Sequence, residues 1–276
     1  MMKFTFLIEN KTDNPGIVAE HGLSVYIETG SKKILFDAGA TDLFAANAKT
    51  LGIDLKSVDY AVVSHGHYDH TGGFPYFKTI NSKAPIYLHK AAFRKSYGFE
   101  NGEMDKETCG IIWSQEERDR LEDRIVYTDG PVYITENICV TGTIQVDEDF
   151  IPTEEFYYYT AEGELAEDDL AHEQCLVIRE KKGLYIFSGC SHRGVINAIN
   201  MCKKMYPGEK VLALISGMHL YSASDEDRER VVSEIEGEGI NLVMPVHCTG
   251  IKAICDLKSR MGDSCIVATA GDVYEL

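Results

Sequence analysis

The stretch Ser64-His65-Gly66-His67-Tyr68-Asp69-His70-Thr71-Gly72-Gly73 determines how this chain is interpreted, because three imidazoles and one carboxylate fall within six residues. It directly follows the apolar run Val58-Asp59-Tyr60-Ala61-Val62-Val63, which predicts a buried strand. Neutral imidazole nitrogen and carboxylate oxygen are donors that suit Zn²⁺, Fe²⁺ or Mn²⁺. Without a cation, so many crowded polar groups would be desolvated at a cost. The pattern therefore predicts a metal site, with two ions, in the loop after a strand.

Two simpler interpretations of the same residues exist. A single surface His-x-His pair usually has no function, and a histidine-rich tract binds metal adventitiously. Such tracts lie at chain ends and lack a preceding strand. This cluster is internal and is followed by the flexible Thr71-Gly72-Gly73, so the metal site is the favoured interpretation.

The motif has the form His-x-His-x-Asp-His, and with its flanking residues it resembles the metallo-β-lactamase-fold hydrolase superfamily over nearly the whole chain. Residues 22–27 and 33–39 look like the family's opening strands. Later segments match its further metal motifs in order and spacing, namely 171–178, 183–194 and 244–250. Gly189-Cys190-Ser191-His192, residues 215–220 and His247-Cys248-Thr249-Gly250 look like the subgroup named after a dihydropterin ribofuranosyl-aminobenzene phosphate synthase of methanopterin biosynthesis.

The resemblance implies an α/β fold, a four-layer αββα sandwich that forms a single domain over residues 1–276, with the metals at one edge between the sheets. It implies two divalent transition metal ions, with zinc first and iron or manganese as alternatives. The implied ligands are His65, His67 and His172 for the first metal and Asp69, His70 and His247 for the second.

The bridging position is the main departure from the family pattern. Most members carry Gly-Asp there, whereas this chain has Gly189-Cys190. A thiolate is a competent zinc ligand, and His192 shares a face with Cys190 if the chain stays extended, so both remain candidates. His172 matches its motif more loosely. In the alternative in which it only caps a strand, His192 takes its role.

Further residues are assigned supporting roles. Asp69 is expected to orient the nucleophile as well as to bind metal, and His219 to stabilise the transition state or to support the ligands. Asp37 is expected to hydrogen-bond a ligand imidazole, the alternative being a turn-forming Asp. His21 and His89 are interpreted as ordinary structural or surface residues.

The apolar patterns place strands and helices along the chain. Strands are predicted near 3–8, 23–28, 33–37, 59–63, 85–88, 124–127, 132–134, 138–142, 174–179, 184–188, 211–215, 241–246 and 265–269. Helices are predicted at 42–50, 90–96, 114–122, 194–205, 225–237 and 250–260. The elaborated segment 94–169 is expected near the active site, as a lid, a pocket wall, a peripheral hairpin or a self-association surface. Within or beyond it, Arg94 and Arg193 are candidates for binding an anionic group and Tyr158 for contacting a planar substrate.

Composition limits the partners. The chain has 276 residues and a formal charge of −17, which disfavours binding to nucleic acid. No apolar run is long enough to span a membrane, and no export signal precedes the eight cysteines, so a cytoplasmic location with free thiols is expected. A small-molecule substrate is the expected partner, and a homo-oligomer is compatible with the sequence.

These observations together predict metal-dependent hydrolysis of an ester, phosphoester or related bond in a small molecule, either pterin-like or phosphorylated. Two alternatives remain open. One is a metal-dependent synthase of pterin-type cofactor metabolism, and the other is a ligand-binding or sensing protein without turnover.

Overall fold

The computed structural model describes residues 2–100, 102–150, 152 and 154–276. Its strands are β1 (Met2–Ile8), β2 (Ser24–Thr29), β3 (Lys32–Phe36), β4 (Tyr60–Val62), β5 (Ile86–His89), β6 (Tyr97–Glu100), β7 (Glu103–Met104), β8 (Ile125–Thr128), β9 (Val132–Thr135), β10 (Ile138–Val140), β11 (Glu155–Tyr159), β12 (Leu165–Glu167), β13 (Leu176–Glu180), β14 (Gly183–Ser188), β15 (Val211–Ser216), β16 (Leu242–Pro245) and β17 (Val273–Glu275). Its α-helices are α1 (Leu43–Thr50), α2 (Tyr68–Thr71), α3 (Phe74–Ile80), α4 (Gln115–Leu121), α5 (Val195–Met205), α6 (Asp225–Gly237) and α7 (Ile251–Met261).

The chain divides into two compact units. Unit 1 comprises Met1–Asp129, Glu154–His172 and Thr269–Leu276, and unit 2 comprises Gly130–Thr153 and Glu173–Ala268. Each unit has its own principal sheet and its own buried apolar cluster. The expectation of a single domain over the whole chain stays a prediction.

The principal sheet of unit 1 has the order β17-β1-β2-β3-β4-β5-β8. Its first strands are antiparallel, whereas β3, β4, β5 and β8 run parallel. Parallel neighbours need crossover connections, and α1, α3 and α4 lie in those connections. Leu35, Ala61 and Ile86 on the strands belong to one buried cluster with Phe44 and Phe77 on the helices. The histidine-rich motif leaves this sheet at the carboxyl end of β4.

A smaller antiparallel sheet of unit 1 has the order β12-β11-β6-β7. Strand β11 contains the aromatic run 156–159. Tyr97 packs edge-on against Tyr159 at 5.8 Å between ring centroids, and Phe99 does so against Tyr157 at 5.4 Å. Part of the elaborated segment 94–169 therefore forms a packed sheet, and the expected place of the segment beside the active site stays a prediction.

The sheet of unit 2 has the order β16-β15-β14-β13-β10-β9, with β14, β15 and β16 parallel. Helix α5 follows β14 and α6 follows β15, which gives the required crossovers. Ile199 on α5 is buried in one apolar cluster with Ile186 and Leu214 on the strands. Because the carboxyl ends of parallel strands meet at the same edge, Cys190, His219 and His247 follow strands that end on one side of this sheet.

Two predicted elements are wrong, the helix at 90–96 and the strand at 265–269. The first segment forms a turn closed by Arg94 N–H on Ala91 O, and its backbone packs so tightly on Gly66 that a Cβ there would lie 2.2 Å from Ala92 O. Tertiary contact here outweighs helix propensity. In the second segment, only Cys265 forms an isolated bridge, with Val243.

Helices α2 and α3 were not predicted. The extended His67 is the residue before α2, so the metal motif itself folds as a helical turn. Pro75 lies in the first turn of α3, where its missing N–H costs no helical hydrogen bond. The sequence pattern indicated neither short helix, because the Gly72-Gly73 pair between them is typical of a loop.

Candidate metal centre

A buried carboxylate organises the histidine-rich motif of unit 1. Asp37 follows β3 and is completely buried. Its Oδ1 accepts the backbone N–H of Ser64 at 2.7 Å, and its Oδ2 accepts the Ser64 hydroxyl at 2.7 Å. The same Oδ2 lies 2.7 Å from His70 Nδ1. Asp37 thus makes the contact with a ligand-type imidazole that the sequence suggested.

This network fixes the hydrogen positions on two imidazoles. The single hydroxyl hydrogen of Ser64 is given to Asp37, so the Ser64 oxygen accepts from His65 Nδ1, which lies 2.9 Å away. His70 donates from Nδ1 to the carboxylate. A neutral imidazole with its hydrogen on Nδ1 has its lone pair on Nε2. His65 and His70 therefore both present Nε2 as a metal donor, the arrangement usual for ligating histidines.

The other donors of the motif lie in the same cluster. The His65 ring centroid is 4.5 Å from that of His67 and 4.2 Å from that of His70. Asp69 Oδ2 is 3.8 Å from His70 Nε2. All four side chains are buried. Three imidazoles and a carboxylate at these separations have the donor chemistry of a divalent transition-metal site, so these residues fit the implied metal.

His172 has a different hydrogen-bond arrangement. Its ring is parallel to that of His65 at 6.3 Å, and its Nδ1 accepts the backbone N–H of Gly66 at 3.1 Å. A neutral imidazole that accepts at Nδ1 carries its hydrogen on Nε2. In this form Nε2 is a hydrogen-bond donor, and the ligand roles of His172 and His192 stay predictions.

The substrate candidates Arg94 and Tyr158 contact each other. The Arg94 guanidinium lies over the Tyr158 ring, 4.4 Å from its centroid. It also donates to Asp168 Oδ1 at 2.6 Å and to Asp169 Oδ1 at 2.9 Å. The buried Asp168 carboxylate accepts the Ser96 hydroxyl as well. Arg94 is therefore bound within the segment that leads to His172, and its role toward an anionic substrate stays a prediction.

Cys109 is a neighbour of the site that the sequence did not reveal. Its Sγ lies 3.6 Å from His67 Nε2 and 3.3 Å from Ser96 O. Burial, and then the nearby charge of Asp69, raise the pKa of this thiol to about 12. The Cys109 thiol thus lies next to a predicted ligand, His67.

In unit 2, Cys190 lies close to two predicted histidine ligands. Its Sγ is within 4.8 Å of one ring nitrogen of His192 and of one ring nitrogen of His247. Ser191 between Cys190 and His192 has a φ of 57°, so the chain is not extended there as the sequence argument assumed. The turn nevertheless keeps both donors near each other. Cys190 and His192 therefore both stay predicted ligands.

Glu173 holds this turn and was also missed by the sequence patterns. Its buried carboxylate accepts the backbone N–H of His192 at 2.7 Å and that of Arg193 at 2.6 Å. Arg193 donates from Nε to Ile144 O at 2.6 Å. The only sequence signal was an acidic residue immediately before an apolar strand. The Arg193 side chain is thus bound to backbone, and its substrate role stays a prediction.

A chain of hydroxyls lies beside the same turn. Ser188 Oγ and Ser191 Oγ are 2.9 Å apart, as are Ser191 Oγ and Ser216 Oγ. Ser216 donates to Gly217 O at 2.6 Å. Each hydroxyl has one hydrogen, so the donors run from Ser188 through Ser191 to Ser216. His219, which follows β15, has its ring 4.4 Å from that of His192.

Strained backbone is concentrated around these residues. Among the described residues, the non-glycine positions with positive φ are Asp37, Leu170, Ser191, His219 and His247. Such conformations cost about 1–3 kcal/mol each and persist where the surroundings impose them, often at functional sites. Three of these positions are predicted site residues, Ser191 lies between two others, and Leu170 lies two residues before His172.

Comparison with known proteins identifies the family. Residues 18–135 match the model of the metallo-beta-lactamase superfamily. Over 248 residues, the chain is 36% identical to the 7,8-dihydropterin-6-methyl-4-(beta-D-ribofuranosyl)-aminobenzene-5'-phosphate synthase of Methanocaldococcus jannaschii, which covers 85% of this chain and 83% of that protein. This chain belongs to the metallo-β-lactamase superfamily. An uncharacterized protein of the same archaeon is 32% identical over 243 residues, covering 87% of this chain and 88% of that protein.

Solved structures of the superfamily support the assignment. The crystal structure of Tm1679, a metal-dependent hydrolase of the beta-lactamase superfamily, is similar with a TM-score of 0.84 and 30% identity, covering 100% of this chain and 99% of that one. Zinc-bound PqqB from Methylobacterium extorquens has a TM-score of 0.61 at 12% identity, covering 99% and 100%, and shares the fold. The predicted α/β metallo-β-lactamase fold is thereby confirmed. Within the described part of the chain, no helix is both long and apolar enough to cross a membrane.

Proposed function

We propose that this superfamily member is a metal-dependent hydrolase that cleaves an ester, a phosphoester or a related bond in a phosphorylated or pterin-like small molecule. The observation that carries the proposal is the hydrogen-bond network of Asp37 and Ser64. It leaves the lone pairs of His65 Nε2 and His70 Nε2 available to a metal ion, near the Asp69 carboxylate. Because this network orients buried imidazoles as metal ligands are usually oriented, it is typical of a site that holds a cation. Membership of a superfamily that usually binds divalent metals supports it.

The residues that would hold two divalent ions, with zinc first and iron or manganese as alternatives, are His65, His67, Asp69 and His70 in unit 1 and Cys190, His192 and His247 in unit 2. When bound, the ions supply Lewis acidity toward water and toward an oxygen of the substrate.

Other side chains would act directly on the substrate or on water. The Asp69 carboxylate accepts a hydrogen bond from the attacking water and orients it. His172, which donates from Nε2 in unit 1, would stabilise negative charge that develops on a substrate oxygen. His219, which follows β15 in unit 2, keeps its predicted role of stabilising the transition state or supporting the ligands.

A second candidate function is a synthase reaction of pterin-type cofactor metabolism. It is favoured by the similarity to the Methanocaldococcus jannaschii synthase, whose name contains a dihydropterin, an aminobenzene and a ribose 5'-phosphate. Either function involves a small molecule. The charge of −17 argues against a nucleic-acid substrate, and eight free cysteines favour a reducing location such as the cytoplasm.

The test is a parallel assay of the two reactions. Protein stripped of metal and reloaded with Zn²⁺, Mn²⁺ or Fe²⁺ is offered phosphodiesters, phosphomonoesters, lactones and thioesters, and separately a dihydropterin with an aminobenzene ribotide. We expect metal-restored cleavage of one ester class, abolished in Asp69→Asn. A new pterin-containing product, detected by mass spectrometry without hydrolysis, would support the synthase instead. Tight metal binding without either reaction would leave the sensing alternative.

A further inference from the structure

The exposed imidazole of His21 contacts the carboxylate of Asp69. His21 Nε2 is 3.2 Å from Asp69 Oδ2, although the His21 side chain is 60% exposed and that of Asp69 only 9%. The sequence pattern around His21 predicted no functional role. The contact therefore brings a solvent-facing group onto a carboxylate that the proposed function uses for metal and water.

The loop that carries His21 is fixed on both sides. Gly22 has a φ of 150°, and a Cβ there would lie 2.4 Å from the backbone oxygen of Asp69. Only glycine allows this approach. The next residue, Leu23, donates its N–H to the same oxygen at 3.2 Å. On the other side, the Glu20 carboxylate accepts backbone N–H groups of a neighbouring turn. Contacts of Glu20, Gly22 and Leu23 thus fix the loop backbone that carries the His21 imidazole.

The hydrogen-bond pattern also determines which His21 nitrogen carries the hydrogen. Asn10 Oδ1 accepts the N–H of Gly22 at 3.1 Å, which assigns the amide nitrogen of Asn10 to the opposite side. That nitrogen lies 3.4 Å from His21 Nδ1. Because an amide NH₂ only donates, Nδ1 accepts. The neutral ring then has its hydrogen on Nε2, pointing at Asp69 Oδ2.

We infer that His21 is a positioning residue, which donates from Nε2 to Asp69 and fixes the orientation of that carboxylate for metal binding. The inference rests on the proposed function, in which Asp69 is a ligand. His21 would orient the Asp69 carboxylate through a hydrogen bond, as Asp37 orients the His70 imidazole. Partners of this kind typically contribute 10–100-fold to metal affinity.

The test measures metal affinity rather than turnover. Metal-free full-length protein competes with a chromophoric chelator for Zn²⁺, and Co²⁺ absorption reports the coordination. We expect His21→Ala to weaken Zn²⁺ binding by about 10-fold or more and to change the Co²⁺ spectrum. In His21→Gln, the amide nitrogen can replace Nε2, so affinity should stay within about 3-fold of wild type. Val18→Ala, at an exposed position of the same loop, is the control and should have no effect.

The outcomes separate the two proposals. If the wild-type chain binds no metal, the proposed function fails and the inference fails with it. If the wild type binds metal and His21→Ala binds equally well with an unchanged Co²⁺ spectrum, only the inference is overturned. Thermal unfolding of the metal-free variants tests a purely structural role. An equal loss of stability in His21→Ala and His21→Gln, without a difference in their metal affinity, would also overturn it.

Discussion

At the scale of single residues, the first prediction concerns the effect of Asp37 on metal affinity. Its carboxylate accepts from Ser64 and from His70. In Asp37→Asn, the amide oxygen can still accept the Ser64 N–H, but an NH₂ group in place of Oδ2 cannot accept from the Ser64 hydroxyl or from His70 Nδ1. His70 therefore loses its orienting partner. We expect about 10–100-fold weaker Zn²⁺ binding and a loss of about 1–3 kcal/mol in the free energy of unfolding. Chelator competition and urea unfolding measure the two effects.

The matched control for Asp37→Asn is Asp42→Asn. Asp42 is exposed and precedes α1 without making a side-chain capping bond, so its substitution should change neither quantity. If both variants bound Zn²⁺ with wild-type affinity, the orienting role of Asp37 would be refuted.

A second residue-scale prediction concerns His172 and His192. Because His172 Nδ1 accepts from Gly66 N–H, the neutral ring carries its hydrogen on Nε2, and we predict that His172 is not a metal ligand. We expect His172→Gln to keep the wild-type metal stoichiometry with reduced turnover, and His192→Gln to lose metal. Elemental analysis of the purified variants decides between them. Loss of metal in His172→Gln with retention in His192→Gln would restore the ligand set implied by the resemblance.

At this scale, the sequence predicted the residues of the cluster where several metal-binding residue types lie close together along the chain. Three histidines and an aspartate lie together in the motif after β4, and the structure places all four in one cluster. It missed His21, Cys109 and Glu173, since their contacts involve residues distant in sequence. A single histidine or glutamate in a loop carries no local signal of the group it will touch.

At the scale of elements, Arg94 is predicted to hold the segment that leads to His172. The Asp168 side chain is fully buried and Arg94 is 26% exposed. Removing one partner leaves a buried charge uncompensated, which typically costs 3–5 kcal/mol. We expect Arg94→Met to lower the free energy of unfolding by about 3 kcal/mol in urea titrations of the metal-free protein.

Arg120→Met provides the control for Arg94→Met. Arg120 pairs with Glu116 on the exposed face of α4, so its loss should cost less than about 1 kcal/mol. If Arg94→Met were as stable as this control but raised the KM for a phosphorylated substrate, Arg94 would be a substrate-binding residue, as the sequence suggested.

Elements with regular apolar spacing were predictable. Helices α5 and α6 and the parallel strands of unit 2 lie within a few residues of their predicted bounds. The aromatic run 156–159 was noted, but its strand β11 was not, because four consecutive aromatic residues show no alternation between polar and apolar positions. The turn at 90–94 shows the opposite failure, in which an apolar pattern was overridden by packing on Gly66.

At the scale of the whole molecule, the family and fold followed from the order of motifs, whereas the substrate did not. The motifs encode ligands and turns that many enzymes of one superfamily share, and fold alone does not set specificity. The chain itself adds the thiol at position 190, the strained turn at Ser191 beside it and a net charge of −17. We expect this charge to disfavour polyanions, but it does not indicate which small molecule is bound.

Metal should also stabilise the whole chain, because a preformed set of ligands exists only after folding. At a free metal concentration about 100 times the Kd, binding adds about 2.7 kcal/mol to the free energy of unfolding, which corresponds to a rise of roughly 5–10 °C in Tm. Calorimetry of chelator-treated protein with and without metal measures this rise. Since unfolded cysteines also bind Zn²⁺ and reduce the effect, Mn²⁺ is tested in parallel. The rise should vanish in Asp69→Asn and persist in Asp42→Asn, and an equal Tm for wild-type protein with and without either metal would contradict a metal centre.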